Sequence, residues 1–265
     1  MVDAYTHGHQ EPVLRAHRWR TAENSAAHLL GHLRPGQRLL DVGCGPGTIT
    51  VDLAARVAPG RVLAVDASAE VIGEAEEGAA GGAPNVEFAV GDAYRLDQPE
   101  ASFDVVHAHQ LLQHLTDPVA ALVEWRRVLA ADGLLAVRDS DFGGFVWGPP
   151  DPRLDRWMEL HHQVTAHNGA EADAGRHLPA WVRRGGFTDL RTTSSTWTFA
   201  DPQSRAWWGG LWAERVVGSS FAEQAVAYGL TDGDELAAIS EAWRRWSRSD
   251  DGVFVVLHCE VLARR

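Results

Sequence analysis

Five short apolar runs alternate with stretches of helical periodicity between residues 37 and 140 of this 265-residue chain. Continuous apolar runs of this length are typical of strands that are covered on both faces of a parallel sheet. Between two of them, Ile49, Leu53 and Val57 recur at helical spacing. The pattern predicts an α/β fold with a doubly wound, mostly parallel sheet. The predicted strands of this part are 38–42, 61–66, 86–90, 103–108 and 134–139.

The segments on either side complete the predicted fold. Apolar positions at three- and four-residue steps from Trp19 to Leu33 predict that residues 1–36 form a helical cap. Beyond residue 140 a helix is predicted at about 174–184, followed by a strand pair or one long strand in 187–200 and a last strand in 253–263. With these, we expect a seven-stranded sheet.

Two segments, 141–172 and 201–250, remain outside the predicted sheet. Both leave it just after a strand's carboxyl end, the side on which open α/β sheets bind ligands. Nine of the eleven tryptophans lie after residue 140. We expect a single domain over 1–265, in which 37–140 is the cofactor-binding core and the two aromatic insertions form a lid over an acceptor site.

Composition narrows the classes of partner and compartment. The chain has 24 Lys and Arg against 36 Asp and Glu, a formal net charge of −12, and lacks a basic run, so nucleic acid is not an expected partner. It has no apolar signal segment and no stretch near the roughly 18 apolar residues that a bilayer span needs. Only Cys44 and Cys259 are present, without zinc-site spacing. We expect a cytoplasmic protein without an integral membrane segment, a disulfide framework or a metal.

A glycine-rich turn follows the first predicted strand, in the sequence LLDVGCGPGT. Gly43, Gly45 and Gly47 permit positive φ and remove a Cβ where a ligand would collide with it, and the next helix offers free N–H groups. A tight turn alone would need one glycine rather than three. Asp66 ends the second strand, where a carboxylate can accept both hydroxyls of a ribose. Asp92, after the third strand, could accept the amine of an adenine; by itself it would be typical of a solvated turn.

With these motifs, the chain resembles the class I S-adenosylmethionine-dependent methyltransferases, and within them the small-molecule branch similar to the ubiquinone and menaquinone biosynthesis methyltransferases. The segments DVGCGPGT, AVDAS, NVEFAVGDA, SFDVVHAHQLLQHLTDP and WRRVLAADGLLAVRD follow the family's order over about 37–140. The resemblance implies a Rossmann-like fold, S-adenosyl-L-methionine as cofactor and a small-molecule methyl acceptor. The cofactor contacts that it implies are Gly43, Gly45 and Gly47 at the methionine moiety, Asp41 at the water-linked ammonium group, Asp66 at the ribose, Asp92 and Ala93 at the adenine, and His109 and Gln110 at the sulfonium, with Thr48 and Ala67 as further contacts.

Two other classes of protein share part of this pattern. An NAD-dependent oxidoreductase also pairs a glycine turn with an acidic residue about 20 positions later. Its G-x-G-x-x-G fingerprint differs from the G-x-G-x-G spacing here, and Asp41 would repel a pyrophosphate. A non-catalytic cofactor-binding protein on the same fold would keep the glycine turn, Asp66 and Asp92. Only a measurement of turnover distinguishes such a protein from an enzyme.

The aromatic insertions favour a small, apolar, aromatic or quinone-like acceptor. Trp243 and Trp246 have the helical spacing of core residues and are predicted to pack inside. In 207–208, adjacent tryptophans cannot both face inward on a helix, so at least one is expected to meet a cavity or solvent. The predicted acceptor wall consists of Phe145, Trp147, Trp207 and Trp208.

Histidines near the expected methyl group are the predicted acid–base residues. His109 and His114 follow the fourth strand, and a base there with a pKa of about 6 to 7 would raise the rate as pH climbs through that range. The alternative role is packing or capping in a helical stretch for His114, and a wall position beside the sulfonium for His109. Asp139 and Asp141 are alternative bases. The N-terminal cluster of Tyr5, His7, His9 and Gln10 is either a lid over the cofactor or a disordered lead.

Overall fold

The sheet of the computed structural model contains both parallel and antiparallel strands. Residues 5–8 and 10–265 are described, and within them eight strands form one sheet in the order 3-2-1-4-5-8-6, with the seventh strand also paired to the eighth. The strands are β1 (Leu39–Val42), β2 (Val62–Asp66), β3 (Val86–Val90), β4 (Phe103–His109), β5 (Leu129–Ser140), β6 (Val146–Gly148), β7 (Thr188–Phe199) and β8 (Val253–Arg264). Strands β1 to β5 run parallel, and β8 is antiparallel to its three neighbours. The α/β fold with a mostly parallel sheet is confirmed.

The eight strands of the described chain fill seven positions in the sheet. Strand β7 covers one edge of β8 along 254–264, so β5 and β6 both pair with the other edge, first with 258–264 and then with 253–255. Strand β6 therefore continues β5 beyond a 3-10 turn at Phe142–Gly144. The segment 187–200, predicted as a strand pair or one long strand, forms one long strand.

Helices cover both faces of the sheet because alternate strand residues point to opposite sides. Leu39 packs with Leu29 and Leu53 on one face. Its neighbour Leu40 packs with Leu122 and Leu178 on the other. The helices are α1 (Glu11–Arg18), α2 (Ala22–Ser25), α3 (Ala27–Leu30), α4 (Thr48–Val57), α5 (Ala69–Ala79), α6 (Pro118–Val128), α7 (Pro152–His167), α8 (Ala174–Arg184), α9 (Pro202–Gly218), α10 (Ser220–Ala227) and α11 (Gly233–Ser247).

Two short helices, α2 and α3, replace the single helix predicted between Trp19 and Leu33, and α1 precedes them. A capping box starts α2: Thr21 Oγ1 accepts a hydrogen bond from the Asn24 N–H at 3.2 Å, and Asn24 Oδ1 accepts one from the Thr21 N–H at 2.9 Å. Ala26 then leaves helical geometry, with φ −136° and ψ 21°. The apolar positions still recur at helical spacing on both sides of Ala26 because α2 and α3 each bury one face.

The two segments predicted as insertions are largely helical. Residues 141–172 contain β6 and α7, and residues 201–250 contain α9, α10 and α11. They pack together around a dense aromatic core in which Trp243 and Trp246 are 0% and 4% exposed, as their spacing predicts. In the described part of the chain, no helix is both long and apolar enough to cross a membrane.

Candidate functional site

A cavity of about 1020 Å³ lies at the carboxyl ends of β1, β2 and β4. One part of its wall comes from the glycine-rich turn and the ends of β2 and β3. The other part comes from aromatic, histidine and arginine side chains of the N-terminal segment, β7 and α9. Predicted site residues that lie in this wall are Asp41, Gly43, Gly45, Thr48, Asp66, Ala67, Asp92, Ala93, His109, Gln110, His114, Phe145 and Trp208.

The three glycines of the turn have different surroundings. All have positive φ: +71° for Gly43, +55° for Gly45 and +77° for Gly47. A Cβ on Gly43 would lie 3.0 Å from the Leu111 side chain, and one on Gly47 would lie 2.9 Å from the Phe88 ring. A Cβ on Gly45 would meet no atom closer than His17 Nδ1 at 4.0 Å. Gly43 and Gly47 are therefore required by packing within the chain, whereas Gly45 leaves open space on the cavity side.

Two carboxylates stand along the same part of the cavity. Asp66 Oδ2 accepts a hydrogen bond from the Gly45 N–H and Oδ1 accepts one from the Ser68 N–H, each at 3.1 Å. These bonds attach the end of β2 to the glycine turn. Asp92 is exposed, and its Oδ1 accepts from the Tyr94 N–H at 2.9 Å. The open space at Gly45 and the two carboxylates fit the methionine, ribose and adenine parts of S-adenosylmethionine.

Asp41 lies beneath the turn and is only 2% exposed. Its Oδ2 accepts from Thr50 Oγ1 at 2.6 Å, and its Oδ1 accepts from His107 Nδ1 at 2.7 Å. Since both oxygens already have partners within the chain, this carboxylate fits the indirect, water-linked role that the resemblance implies rather than a direct contact.

Gln110 connects three parts of the fold at the end of β4. Its backbone has a φ of +51°, which is uncommon for a residue other than glycine. The side-chain Oε1 accepts from Arg20 Nη2 at 2.5 Å, and Nε2 donates to Ser140 Oγ at 2.7 Å and to His258 Nε2 at 2.8 Å. Gln110 thus ties the N-terminal segment to β5 and β8 beside the glycine turn.

The two predicted bases are neutral imidazoles. Burial, followed by the charge of Arg138, holds the pKa of His109 well below its usual range, and burial lowers the pKa of His114 to about 3. Arg138 Nη1 lies 3.5 Å from His109 Nδ1, which favours a proton on Nε2. His114 Nε2 accepts from Gln113 Nε2 at 3.0 Å, which places its proton on Nδ1. The expected pKa of about 6 to 7 is therefore wrong for both residues, since burial disfavours the charged form of each.

The alternative carboxylate bases lie outside the cavity wall. Burial raises the pKa of Asp139 to about 8, and its Oδ1 accepts from the Gln113 N–H at 3.2 Å. Asp141 forms an ion pair with Arg176. Both side chains are used inside the fold rather than at the site.

The N-terminal cluster covers the cavity where it is described. Tyr5 and His7 are in the cavity wall, and Gln10 Nε2 donates to Ser220 Oγ at 3.1 Å. His9 lies outside the described residues. These contacts favour the lid over the disordered lead.

Two of the four aromatic residues predicted for the acceptor wall lie elsewhere. Trp147 stacks on Phe254, with ring centroids 5.9 Å apart and planes at 11°. Trp207 packs against Trp19, with centroids 5.2 Å apart. Neither lines the cavity, because each ring packs on another aromatic residue instead; Trp19, the partner of Trp207, does line it. The aromatic side chains that line the cavity are Tyr5, Trp19, Tyr94, Phe142, Phe145, Trp197, Trp208 and Trp212, and we call the last five the aromatic wall.

Sequence reasoning also missed three arginines in the cavity wall, Arg95, Arg20 and Arg215. Arg95 is exposed, and the other two are not. Burial lowers the pKa of Arg20 and of Arg215 to about 10, so both remain charged near neutral pH. Arg20 precedes the glycine turn by some twenty residues and Arg215 lies on α9. A lone arginine in a polar or helical stretch indicates a surface position, and only the folded chain brings these two together.

Comparisons with known proteins agree with this geometry. Residues 39–133 match the family described as a methyltransferase domain. An uncharacterized methyltransferase of Schizosaccharomyces pombe is 32% identical over 270 residues, covering 98% of this chain and 96% of that protein. A probable methyltransferase of Aspergillus luteorubrus is 30% identical, with the same coverage of both chains. The solved structure of YcgJ from Bacillus subtilis covers 90% of this chain and 98% of that one, with a TM-score of 0.58 and 20% identity, and so shares the fold.

The chain therefore belongs to the S-adenosylmethionine-dependent methyltransferases of Rossmann-like fold. Enzymes of this class use S-adenosyl-L-methionine as their cofactor, and the glycine turn with Asp66 and Asp92 fits that cofactor.

Proposed function

We propose that the chain methylates a small aromatic or quinone-like molecule that binds between the end of β4 and the aromatic wall. The observation that carries the proposal is the continuity of one cavity. It extends from Gly45 and Asp66, which fit the cofactor, to Trp208 and Trp212, which offer flat apolar surfaces. Planar molecules pack well on such surfaces.

The cofactor half of the proposal assigns each contact to this chain's residues. Gly43, Gly45 and Thr48 would hold the methionine moiety, with Asp41 acting through water and Gly47 shaping the turn. Asp66 and Ala67 would hold the ribose, Asp92 and Ala93 the adenine, and His109 and Gln110 would flank the sulfonium. Arg20, which donates to Gln110 at 2.5 Å, would bind the cofactor's carboxylate.

S-adenosylmethionine, when bound, supplies an electrophilic methyl group on a good leaving group. The chain's own contribution is then position and exclusion of water. Tyr5, His7 and the helices of 201–250 would cover the cavity, and the aromatic wall would orient the acceptor.

His109 and His114 remain the proposed catalytic residues, with a changed role. Each is neutral, and its partners favour a proton on the ring nitrogen that has no partner in the described chain. We propose that they donate hydrogen bonds to the acceptor and orient it. The rate should then lack an acid limb from these groups near pH 6 to 7.

Calorimetric titration with S-adenosylmethionine, S-adenosylhomocysteine and NAD tests the cofactor assignment. We expect both adenosyl compounds to bind and NAD to fail. A panel of phenols, quinones and amines then tests turnover by release of S-adenosylhomocysteine. If the cofactor bound but no acceptor produced S-adenosylhomocysteine, the non-catalytic binding protein would be the better description.

A further inference from the structure

Arg215 is a buried cation in the cavity wall. It is 6% exposed, and its guanidinium lies 4.2 Å from the centroid of the Trp212 ring. Over residues 5–8 and 10–265, its Nε has no hydrogen-bond partner and no carboxylate oxygen lies within ion-pair distance of its side chain. Two other arginines of the described residues are as buried as Arg215, and each forms an ion pair with a carboxylate. Arg138 is 3.3 Å from Glu260, and Arg205 is 3.8 Å from Asp250.

The groups around Arg215 do not balance its charge. Burial raises the pKa of Tyr5, so that phenol is neutral near neutral pH. His7 and His114 are neutral because burial lowers the pKa of each, and the charge of Arg215 lowers them further. The stacking on Trp212 offsets part of the cost of burial. Burying a charge that has no partner of opposite sign is nevertheless expensive, and an anion bound in the cavity would offset that cost.

Hydrogen-bond donors are in excess on this side of the cavity. The indole Nε1 atoms of Trp208 and Trp212 are buried and have no acceptor in the described chain. His109 Nε2, which carries a proton in the favoured tautomer, has none either. The complementary ligand is therefore one that brings acceptor oxygens.

The cofactor's one carboxylate is assigned to a cation other than Arg215. S-adenosylmethionine has one carboxylate, and Arg20, which is bonded to Gln110 beside the glycine turn, is placed to bind it. The charge of Arg20 lowers the pKa of Arg215, so the two cations act on each other within one cavity. The carboxylates of the cavity wall, Asp41, Asp66, Asp92 and Asp97, form no ion pair with Arg215, so an anionic group of a second ligand would complete its charge.

We infer that the methyl acceptor carries an anionic oxygen group, a carboxylate or an ionised phenol, that binds to Arg215 on α9. This inference rests on the proposed function, because it takes the aromatic part of the cavity as the acceptor site. The planar guanidinium can donate two parallel N–H bonds to a carboxylate, or two converging bonds to a phenolate oxygen, while Trp208 and Trp212 would contact the flat body of the molecule. An acceptor that binds as an anion has already lost its proton, so no general base is required.

The test is calorimetry on the full chain saturated with S-adenosylhomocysteine, using 1-naphthoate, 4-nitrophenolate and neutral 1-naphthamide as probes. Wild type should bind an anionic probe more tightly than the amide. Arg215→Met should lower the affinity for that anionic probe by about 10- to 100-fold and leave the affinity for the amide little changed. Arg215→Lys, which keeps the charge, should retain part of the preference. Whether naphthoate or nitrophenolate binds better identifies the group.

Arg205→Met is the matched control, because it removes a buried arginine of the same helix that lies outside the cavity wall. It should leave the anion preference intact, and melting curves should show that each variant folds. Equal binding of anionic and neutral probes to wild type would overturn the inference. Weaker binding of S-adenosylhomocysteine to Arg215→Lys or Arg215→Met would also overturn the inference, since Arg215 would then bind the cofactor. Failure of wild type to bind S-adenosylhomocysteine at all would instead reject the proposed function.

Discussion

Replacing Gly45 by alanine separates the role of the glycine turn in binding from its role in folding. The left-handed backbone at this position costs a residue with a Cβ about 1–2 kcal/mol of folding free energy. The added methyl group would also occupy the open cavity side, where the nearest atom is 4.0 Å away and where we place the methionine moiety. Overfilling a close-packed site by one methyl group costs about 1–3 kcal/mol, which here would be lost from cofactor binding.

Gly36→Ala is the control for the backbone cost. Gly36 has a φ of +89°, and an added Cβ would meet no atom within 4 Å. Chemical denaturation should therefore show similar losses of unfolding free energy for Gly36→Ala and Gly45→Ala. Calorimetry should show that only Gly45→Ala weakens S-adenosylmethionine, by about 5- to 150-fold. If both variants bound the cofactor as tightly as wild type, the turn would be structural only and the reasoning would be refuted.

Other substitutions test the remaining assignments. Asp66→Ala should weaken S-adenosylmethionine by about 2–3 kcal/mol in calorimetry while unfolding stays cooperative; an unchanged Kd would remove the ribose assignment. Trp208→Leu should raise the acceptor's KM with cofactor affinity kept, whereas Trp147→Leu should change neither, and the reverse pattern would contradict the assigned wall. The pKa of His114 is about 3 in the folded chain and about 6.5 when unfolded, so its contribution to stability is complete above about pH 6.5 and is lost as pH falls toward 3. Unfolding free energy should decline below pH 6.5 less steeply in His114→Gln than in wild type, and equal slopes would count against this.

The cofactor half of the site could be predicted because its signals are local in the sequence. Strand β1, the glycine turn and α4 are contiguous, and Asp66 follows at the end of the next strand. Parallel strands bring their carboxyl ends to one edge, so a residue at the end of each is close to the others without further information. The same rule placed His109 and Gln110 in the cavity wall.

The acceptor half could not be predicted in the same way, because it depends on how distant elements pack. Trp207 and Trp208 are adjacent on α9, and the position of that helix against β7 decides which of them reaches the cavity. Trp197 reaches it from β7. Arg215 lies one helical turn after Trp212, where sequence alone indicates a charged surface residue. The low pKa values of the histidines likewise come from tertiary burial.

Transfer of a deuterated methyl group would demonstrate the proposed reaction itself. The full chain would be incubated with S-adenosylmethionine labelled in its methyl group and with a panel of aromatic carboxylates, phenols and quinones, and the products would be identified by mass spectrometry. We predict that an anionic aromatic compound gains one labelled methyl group while an equal amount of S-adenosylhomocysteine forms, and that Gly45→Ala loses most of this yield. Binding of the cofactor with no labelled product from any member of the panel would contradict the account.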